Sequence, residues 1–277
     1  MSKRRHKAMG SPPAAPPDPD PERGVLLRSY AVTHPPGLDL PARTHGDWDQ
    51  LAYAARGVMA VDTDAGRWVV PPQRAVWIPA GVPHALRMNG AVEVRAVFLY
   101  RRARPRPRLP RPEPVCRAVA VPPLLRELVL EVCRRGVLYV EDPAAVRLAG
   151  VLLDQVRLLP DAALALPSPV EPRAAALARR LLERPELTLA EAVREVGASR
   201  RTLERVFQGE THLTLGQWHR RARLSAALGR LARGEPVTRV ALDVGYRSPS
   251  AFISAFRATL GRTPARYFDV PDGGVGP

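Results

Sequence analysis

Cysteine is scarce in this chain. Cys116 and Cys133 are the only two, too few for a disulfide framework, and they point to a reduced intracellular protein. No run of 18 apolar residues occurs, so no membrane-spanning helix is expected. The opening stretch MSKRRHKAMGSPPAAPPDPDPERG is basic but has no apolar segment behind it, so it does not read as a secretory signal. These absences place the protein in the cytoplasm. Acidic charge is also short, with 27 Asp+Glu against 42 Lys+Arg, a formal net charge of +15. Lysine is confined to Lys3 and Lys7, so arginine carries the excess. A surplus of this size suits a polyanion, DNA or RNA first, although acidic membranes and acidic proteins attract the same charge.

The 277 residues suffice for two domains with separate cores. Residues 1–24 are rich in Pro, Asp and Arg and too poor in apolar residues to fold, so a disordered arm is expected. From Val25 to about Tyr100 short apolar runs alternate with Gly, Pro and Asp. The runs are Leu51–Ala55, Val58–Val61, Trp68–Val70, Ala75–Ile78 and Val92–Leu99, with turn signals at Arg56-Gly57, Asp62–Gly66, Pro71-Pro72 and Pro79–Pro83. Such spacing predicts a β-sandwich or barrel. The proline-rich segment 101–114 predicts a connector. Helices are expected over Pro123–Arg135 and Pro143–Leu159, with Leu124, Leu125, Leu128, Val132 and Cys133 inward in the first. Val146, Leu148, Ala149, Leu152, Leu153 and Val156 are expected inward in the second. Gly136 ends the first, and Asp142-Pro143 starts the second. The pair either covers the barrel or forms a dimer interface. A stiff linker is expected over 161–172, followed by an all-α domain over 173–268 and a tail over 269–277.

The most informative stretch is 187–208, LTLAEAVREVGASRRTLERVFQ. Thr188 or a neighbour caps a helix with Leu189, Ala192, Val193 and Val196 inward, and Gly197 allows a tight turn. Ser199 caps a second helix with Leu203, Val206 and Phe207 inward and Arg200, Arg201, Glu204 and Arg205 outward. This is the pattern of a helix-turn-helix unit, whose second helix enters the DNA major groove. The pattern returns at 237–257, with Val240, Ala241 and Val244 inward, Gly245 at the turn and Ser248 as the cap. There Phe252 and Phe256 anchor the second helix from inside, and Ser250, Ala251 and Ser254 face outward. Two such units in so short a span are far more specific than one. Between them Leu215–Arg233 predicts a helix about 28 Å long. That length can hold two recognition helices close to one DNA turn, about 34 Å, apart.

These residues resemble the AraC/XylS family of bacterial transcription regulators. The resemblance rests on Gly245-Tyr246-x-Ser248-x-Ser250-x-Phe252-x-x-x-Phe256-Arg257 followed by Gly261-x-Thr263-Pro264-x-x-Tyr267. In the first unit it rests on Ser199-x-Arg201-Thr202-Leu203-x-Arg205-x-Phe207. It implies that both units insert a helix into DNA. It places Arg201, Glu204 and Arg205 at base-reading positions of the first unit, and Ser250, Ala251 and Ser254 at those of the second. The candidate DNA-facing set is Ser199, Arg200, Arg201, Thr202, Glu204, Arg205, Arg247, Ser248, Ser250, Ala251 and Ser254. One departure stands out: His212 occupies a place where the family usually has Gly, which suits a left-handed helix end better.

The N-terminal region resembles a cupin, through Thr44-His45-Gly46-Asp47-Trp48-Asp49-Gln50 and Pro79-Ala80-Gly81-Val82-Pro83-His84. The resemblance implies a metal site of three His and a Glu. Here His45 and His84 match, while Asp47 and Gln50 stand where a His and a Glu would be, and Gln is a weak metal ligand. His45 and His84 therefore bind a divalent metal, or serve as hydrogen-bonded pocket residues or effector contacts. Trp48, Gln50, Tyr53 and Trp77 complete the candidate effector set, with core packing as the alternative for the aromatics.

The expectation is thus an α+β chain: a cupin-like sensor or dimerisation barrel with its two following helices over 25–160, then a DNA-binding domain with two helix-turn-helix units. It acts as a sequence-specific transcription regulator and not as an enzyme, with no catalytic residues. No cofactor is certain, a divalent metal being the open case. The expected partners are double-stranded DNA and a small-molecule effector, with RNA polymerase and a second copy of the chain as further ones, and no membrane. The rival reading is a metal-dependent cupin enzyme fused to a DNA-binding domain.

Overall fold

The structure, a computed structural model, describes residues 24–103, 109–159 and 165–268. The tail expected over 269–277 lies outside them, as does the arm expected over 1–24 except for Gly24. Strands dominate the N-terminal part, and the chain beyond residue 170 is helical.

Two long strands organise the sheet. β3 (Trp48–Thr63) and β6 (His84–Tyr100) pair antiparallel from Trp48↔Tyr100 to Asp62↔Ala85. The sequence pattern puts a turn at Arg56-Gly57, but the chain runs straight through as a bulge, with register shifts on either side of Arg56. Gly57 has φ +78°, and a Cβ there would lie 2.3 Å from the Ala91 carbonyl oxygen. Only glycine fits, which is how a bulge imitates a turn signal in sequence. The bulge lets β3 serve two partners. β5 (Arg74–Ile78) pairs with residues 50–53, and β4 (Gly66–Val70) with residues 59–63. Likewise β1 (Val25–His34) and β2 (Asp39–Arg43) take opposite ends of β6. β7 (Arg117–Ala120) joins β5 and β8 (Val137–Tyr139) joins β1. The path β7-β5-β3-β6-β1-β8 has two open ends, so the expected barrel is not closed by hydrogen bonds among the described residues.

Strand alternation sorts side chains onto two faces. The registers Arg28↔Phe98 and Gln50↔Phe98 put Arg28, Gln50 and Phe98 on one face, together with Trp48. Leu51, Tyr53 and Trp77 take the other. Both faces are covered, and β3 is buried without a break from Trp48 to Ala54. α1 (Pro123–Arg135) lies over the second face, where Ser29 Oγ donates to the carbonyls of Val132 (2.9 Å) and Gly136 (3.0 Å). It buries Leu125, Val129 and Val132. Leu124, expected inward, is 54% exposed, because the 125–129–132 spacing turns its side away. α2 (Pro143–Leu158) starts as expected, with Asp142 Oδ1 accepting from Ala144 N at 2.8 Å. It buries Ala145, Ala149, Leu152, Leu153 and Val156, while Val146 and Leu148 are only half-buried.

The described part of the expected linker is not free. Ala165–Pro167 forms β9, paired with β4, and Leu166 is buried. In the proline-rich connector, Arg101 and Arg111 pair with Asp49 and Arg102 with Asp47.

The helical part is α3 (Pro172–Glu183), α4 (Leu189–Glu195), α5 (Arg200–Thr211), α6 (Leu215–Ala232), α7 (Val237–Asp243), α8 (Pro249–Leu260) and α9 (Pro264–Tyr267). α6 is its spine. Leu215, Trp218 and Ala222 pack with α3, α4 and α5, while Leu224, Ala227, Leu228 and Leu231 pack with α7, α8 and α9. Burial of one such large side chain stabilises by roughly 1.5–3 kcal/mol, so the two units are held by one helix. Val58 and Val69 of the sheet belong to the second cluster, and Gln73 Nε2 donates to the Tyr267 carbonyl at 2.7 Å. The sheet therefore packs directly against the second unit.

Candidate nucleic-acid interface

Each helix of the first unit is fixed by a local cap. Thr188 and Glu191 form a capping box at α4: Thr188 N donates to Glu191 Oε2 (2.9 Å) and Glu191 N to Thr188 Oγ1 (3.3 Å). Gly197, at φ +63°, turns the chain. Ser199 caps α5 by accepting from Thr202 N at 3.1 Å. α5 buries Leu203, Phe207 and Thr211, and leaves Arg200, Arg201, Thr202, Glu204 and Arg205 exposed. Arg200 Nε lies 2.8 Å from Glu204 Oε1. Arg201 and Arg205, one turn apart, make no ion pair among the described residues, so their guanidinium groups remain available to an anion. His212 ends α5 at φ 56°, ψ 18°, in the left-handed region, and is the one non-glycine with positive φ among the described residues.

The second unit repeats the glycine turn and the capped recognition helix, although α7 begins after Pro236 without a side-chain cap. Gly245, at φ +82°, makes the turn; a Cβ there would lie 2.8 Å from the Glu186 carbonyl oxygen and 2.6 Å from Arg223 Nη2. Ser248 caps α8 by accepting from Ala251 N at 3.2 Å, with Pro249 in the first turn. Phe252, Phe256 and Leu260 are buried, and Arg247, Ser250, Ala251 and Ser254 are exposed or, for Ser248, half-buried at the cap. Ile253 and Arg257 also stand on the outward side. They were not among the expected site residues, although the spacing 250–253–254–257 marks one helical face.

The two units are tied together by Arg223 on α6. Its Nε and Nη2 donate to the carbonyls of Pro185 and Leu187, both at 3.0 Å, just ahead of α4. The same guanidinium lies 5.8 Å from the Tyr246 ring at the second turn.

In the N-terminal sheet the expected effector residues separate. His45 and His84 come together with ring centroids 5.4 Å apart, and His45 lies 4.9 Å from Phe98. Trp48 and Gln50 share that face. Tyr53 and Trp77 do not: they lie on the opposite face, because residues an odd number apart on a strand point to opposite sides. Sequence reasoning missed Arg28, which is buried against Trp48 (4.4 Å to the ring) and Phe98 (5.0 Å), and also Arg43. A lone Arg inside the apolar run VLLRSYAV was the available signal. Burial holds the His84 pKa below its usual value, the Val82 carbonyl opposing and Arg43 adding to the effect. The imidazole is thereby kept neutral, with Nδ1 3.0 Å from the Val82 carbonyl oxygen.

The donor set does not fit a divalent metal. Among the described residues no group of three or more His, Cys, Asp or Glu is placed to hold one. Asp47 and Asp49 are engaged by arginines, and the charge that acts on His84 is the Arg43 guanidinium, which opposes a cation.

Two capped helix-turn-helix units on one spine, with basic and small polar residues outward, define a DNA-binding protein. The Helix-turn-helix domain family matches residues 192–269. The HTH-type transcriptional regulator NimR of Escherichia coli K12 is 32% identical over 253 residues, spanning 91% of this chain and 89% of that protein. The regulatory protein SoxS of Salmonella typhimurium is 37% identical over 82 residues, 29% of this chain and 77% of that one. Among solved structures, fatty acid-bound ToxT from Vibrio cholerae matches at 11% identity and TM-score 0.36, covering 91% of this chain and 98% of that chain. A Chromobacterium violaceum regulator described as AraC-type matches at 23% identity and TM-score 0.34, covering 38% and 96%. The chain belongs to the AraC family and is a DNA-binding transcription regulator.

Proposed function

We propose that α5 and α8 are the recognition helices and that α5 supplies most of the base readout. The observation that carries this is the outward face of α5. Arg201 and Arg205 stand exposed without an ion-pair partner among the described residues, whereas α8 presents Ser250, Ala251 and Ser254. An arginine in the major groove can donate two hydrogen bonds to guanine O6 and N7. Ser199, Arg200, Thr202, Glu204, Arg247 and Ser248 complete the DNA-facing set, the two serines as caps and the others as backbone or base contacts.

The N-terminal part, residues 25–160, is read as a cupin-like sensor for a small effector, with His45, Trp48, Gln50 and His84 at its site. The contact of Val58 and Val69 with the second unit's core supports a direct route from that domain to the DNA-binding domain over 173–268. Leu124, Val151 and Leu158 are exposed on the outer sides of α1 and α2, which supports a second copy docking there while the same helices cover the sheet. RNA polymerase is the further partner at a promoter. The protein works in the cytoplasm, where its DNA is, and no helix among the described residues is long and apolar enough to cross a membrane.

The test is a pair of titrations at fixed salt, using an operator selected from fragmented genomic DNA by the purified protein and a scrambled duplex. Arg205→Ala is expected to weaken operator binding by about 1–3 kcal/mol and scrambled binding far less. Equal losses on both would reassign Arg205 to the phosphate backbone, and no loss on either would remove it from the interface.

A further inference from the structure

The outward side of α8 carries one side chain that does not match its neighbours. Ile253 is large, aliphatic and 36% exposed. Every other exposed side chain from Ser250 to Ala255 is a serine or an alanine. Among the described residues Ile253 is the one large apolar side chain left exposed on either α5 or α8. It stands one turn after Ser250 and one turn before Arg257, on the flank of the helix that those two share. Arg257 is exposed and makes no ion pair among the described residues, so this flank suits a polyanion.

α8 cannot roll to hide Ile253. Phe252 and Phe256 are buried on the core side, edge-to-face with the rings of Tyr246 (5.3 Å between centroids) and Tyr267 (5.2 Å), and the Ser248 cap fixes the first turn. A β-branched side chain in a helix keeps nearly a single χ1 rotamer, so little freedom is lost when it is pressed against a partner. Serine and alanine around it let the helix backbone come close to a surface, and Ile253 is then the side chain that meets it.

In the major groove the groups that distinguish base pairs are hydrogen-bond donors and acceptors with a single exception, the C5-methyl of thymine. An aliphatic side chain offers a donor or an acceptor nothing, and covering either one costs its hydration. Against the methyl it removes apolar surface from water on both partners. We propose that Ile253 reads thymine, its side chain packing on the C5-methyl of one thymine in the half-site that faces α8. α8 then contributes apolar base readout where α5 contributes arginine hydrogen bonds. The proposal rests on α8 being a recognition helix, and it adds the base and the group on that base.

Uracil lacks only that methyl. In the operator selected from genomic DNA, thymines are replaced one at a time by uracil, and each duplex is titrated with the full chain at fixed salt. One thymine, about 34 Å or one DNA turn from the position whose preference Arg205→Ala relaxes, is expected to lose about fourfold in affinity, the worth of one methyl group. Ile253→Ala should weaken the thymine operator about fourfold or more. In that variant the thymine and uracil duplexes should bind equally, with an unchanged salt slope because no phosphate contact is lost. If wild type and Ile253→Ala lose the same factor at every uracil position, or if no position matters, the thymine contact is overturned. Ser254→Glu separates this outcome from failure of the underlying reading, because it sets a carboxylate on the outward side of α8 against the polyanion. Collapse of operator binding in Ser254→Glu with Ile253→Ala silent overturns the thymine contact alone. A silent Ser254→Glu overturns α8 as a recognition helix, and the thymine contact with it.

Discussion

Arg223→Met isolates what holds the two helix-turn-helix units in one geometry. Methionine keeps most of the aliphatic stem on α6 and deletes the guanidinium. That group makes two 3.0 Å bonds, to the carbonyls of Pro185 and Leu187. A hydrogen bond to a charged group contributes about 1.5–3 kcal/mol; since Arg223 is only half-buried, the lower end applies, giving about 3 kcal/mol for the pair. The contact with the Tyr246 ring adds about 0.5–1 kcal/mol. Urea denaturation followed by circular dichroism should therefore show a loss of about 3–4 kcal/mol. Operator affinity should fall as well. The slope of log affinity against log salt should stay unchanged, because no phosphate contact is removed. A stability loss under about 1 kcal/mol would mean that water satisfies those carbonyls as well as the arginine does. A slope reduced by about one unit would make Arg223 a phosphate contact rather than a tie between units.

His212→Gly should stabilise the protein by up to about 1 kcal/mol, because glycine adopts the left-handed conformation without the Cβ cost; a destabilised variant in the same denaturation assay would refute the strain. For His219, burial, with Arg223 adding and the Leu187 backbone bond opposing, pulls the folded pKa from 6.5 to about 4. Protonation thus favours the unfolded chain: the full stability is present above pH 6.5 and is lost progressively as pH falls toward 4, by about 2 kcal/mol at pH 5. His219→Gln should flatten stability between pH 7.5 and 5 by about that amount, and an unchanged slope would rule out His219 as the cause.

Local chemistry made the DNA-binding half legible in the sequence. Caps at Thr188, Ser199 and Ser248, turns at Gly197 and Gly245, and inward Leu203, Phe207, Phe252 and Phe256 are short-range signals. They report the same structure alone or in the fold, because a cap or a left-handed turn depends on a few neighbouring residues. At His212 only the family resemblance pointed to a left-handed helix end, and the chain keeps that conformation although the residue is not glycine. Signals that depend on distant partners were not legible. Gly57 reads as a turn and is a bulge, since what forbids a side chain there is the Ala91 carbonyl on another strand. Leu166 and Pro167 read as linker and form a sheet edge, because their partner is β4, a hundred residues earlier. Trp48, Gln50, Tyr53 and Trp77 read as one set, and their register divides them between two faces. By itself the sequence determined which segments are helix-turn-helix units and which of their residues face outward, since helical periodicity is a local property. Only the tertiary structure decided which polar groups meet inside the sheet, that Arg223 joins the two units, and that the sheet packs on the second of them, because pairing register and packing are fixed by contacts between residues far apart in the chain.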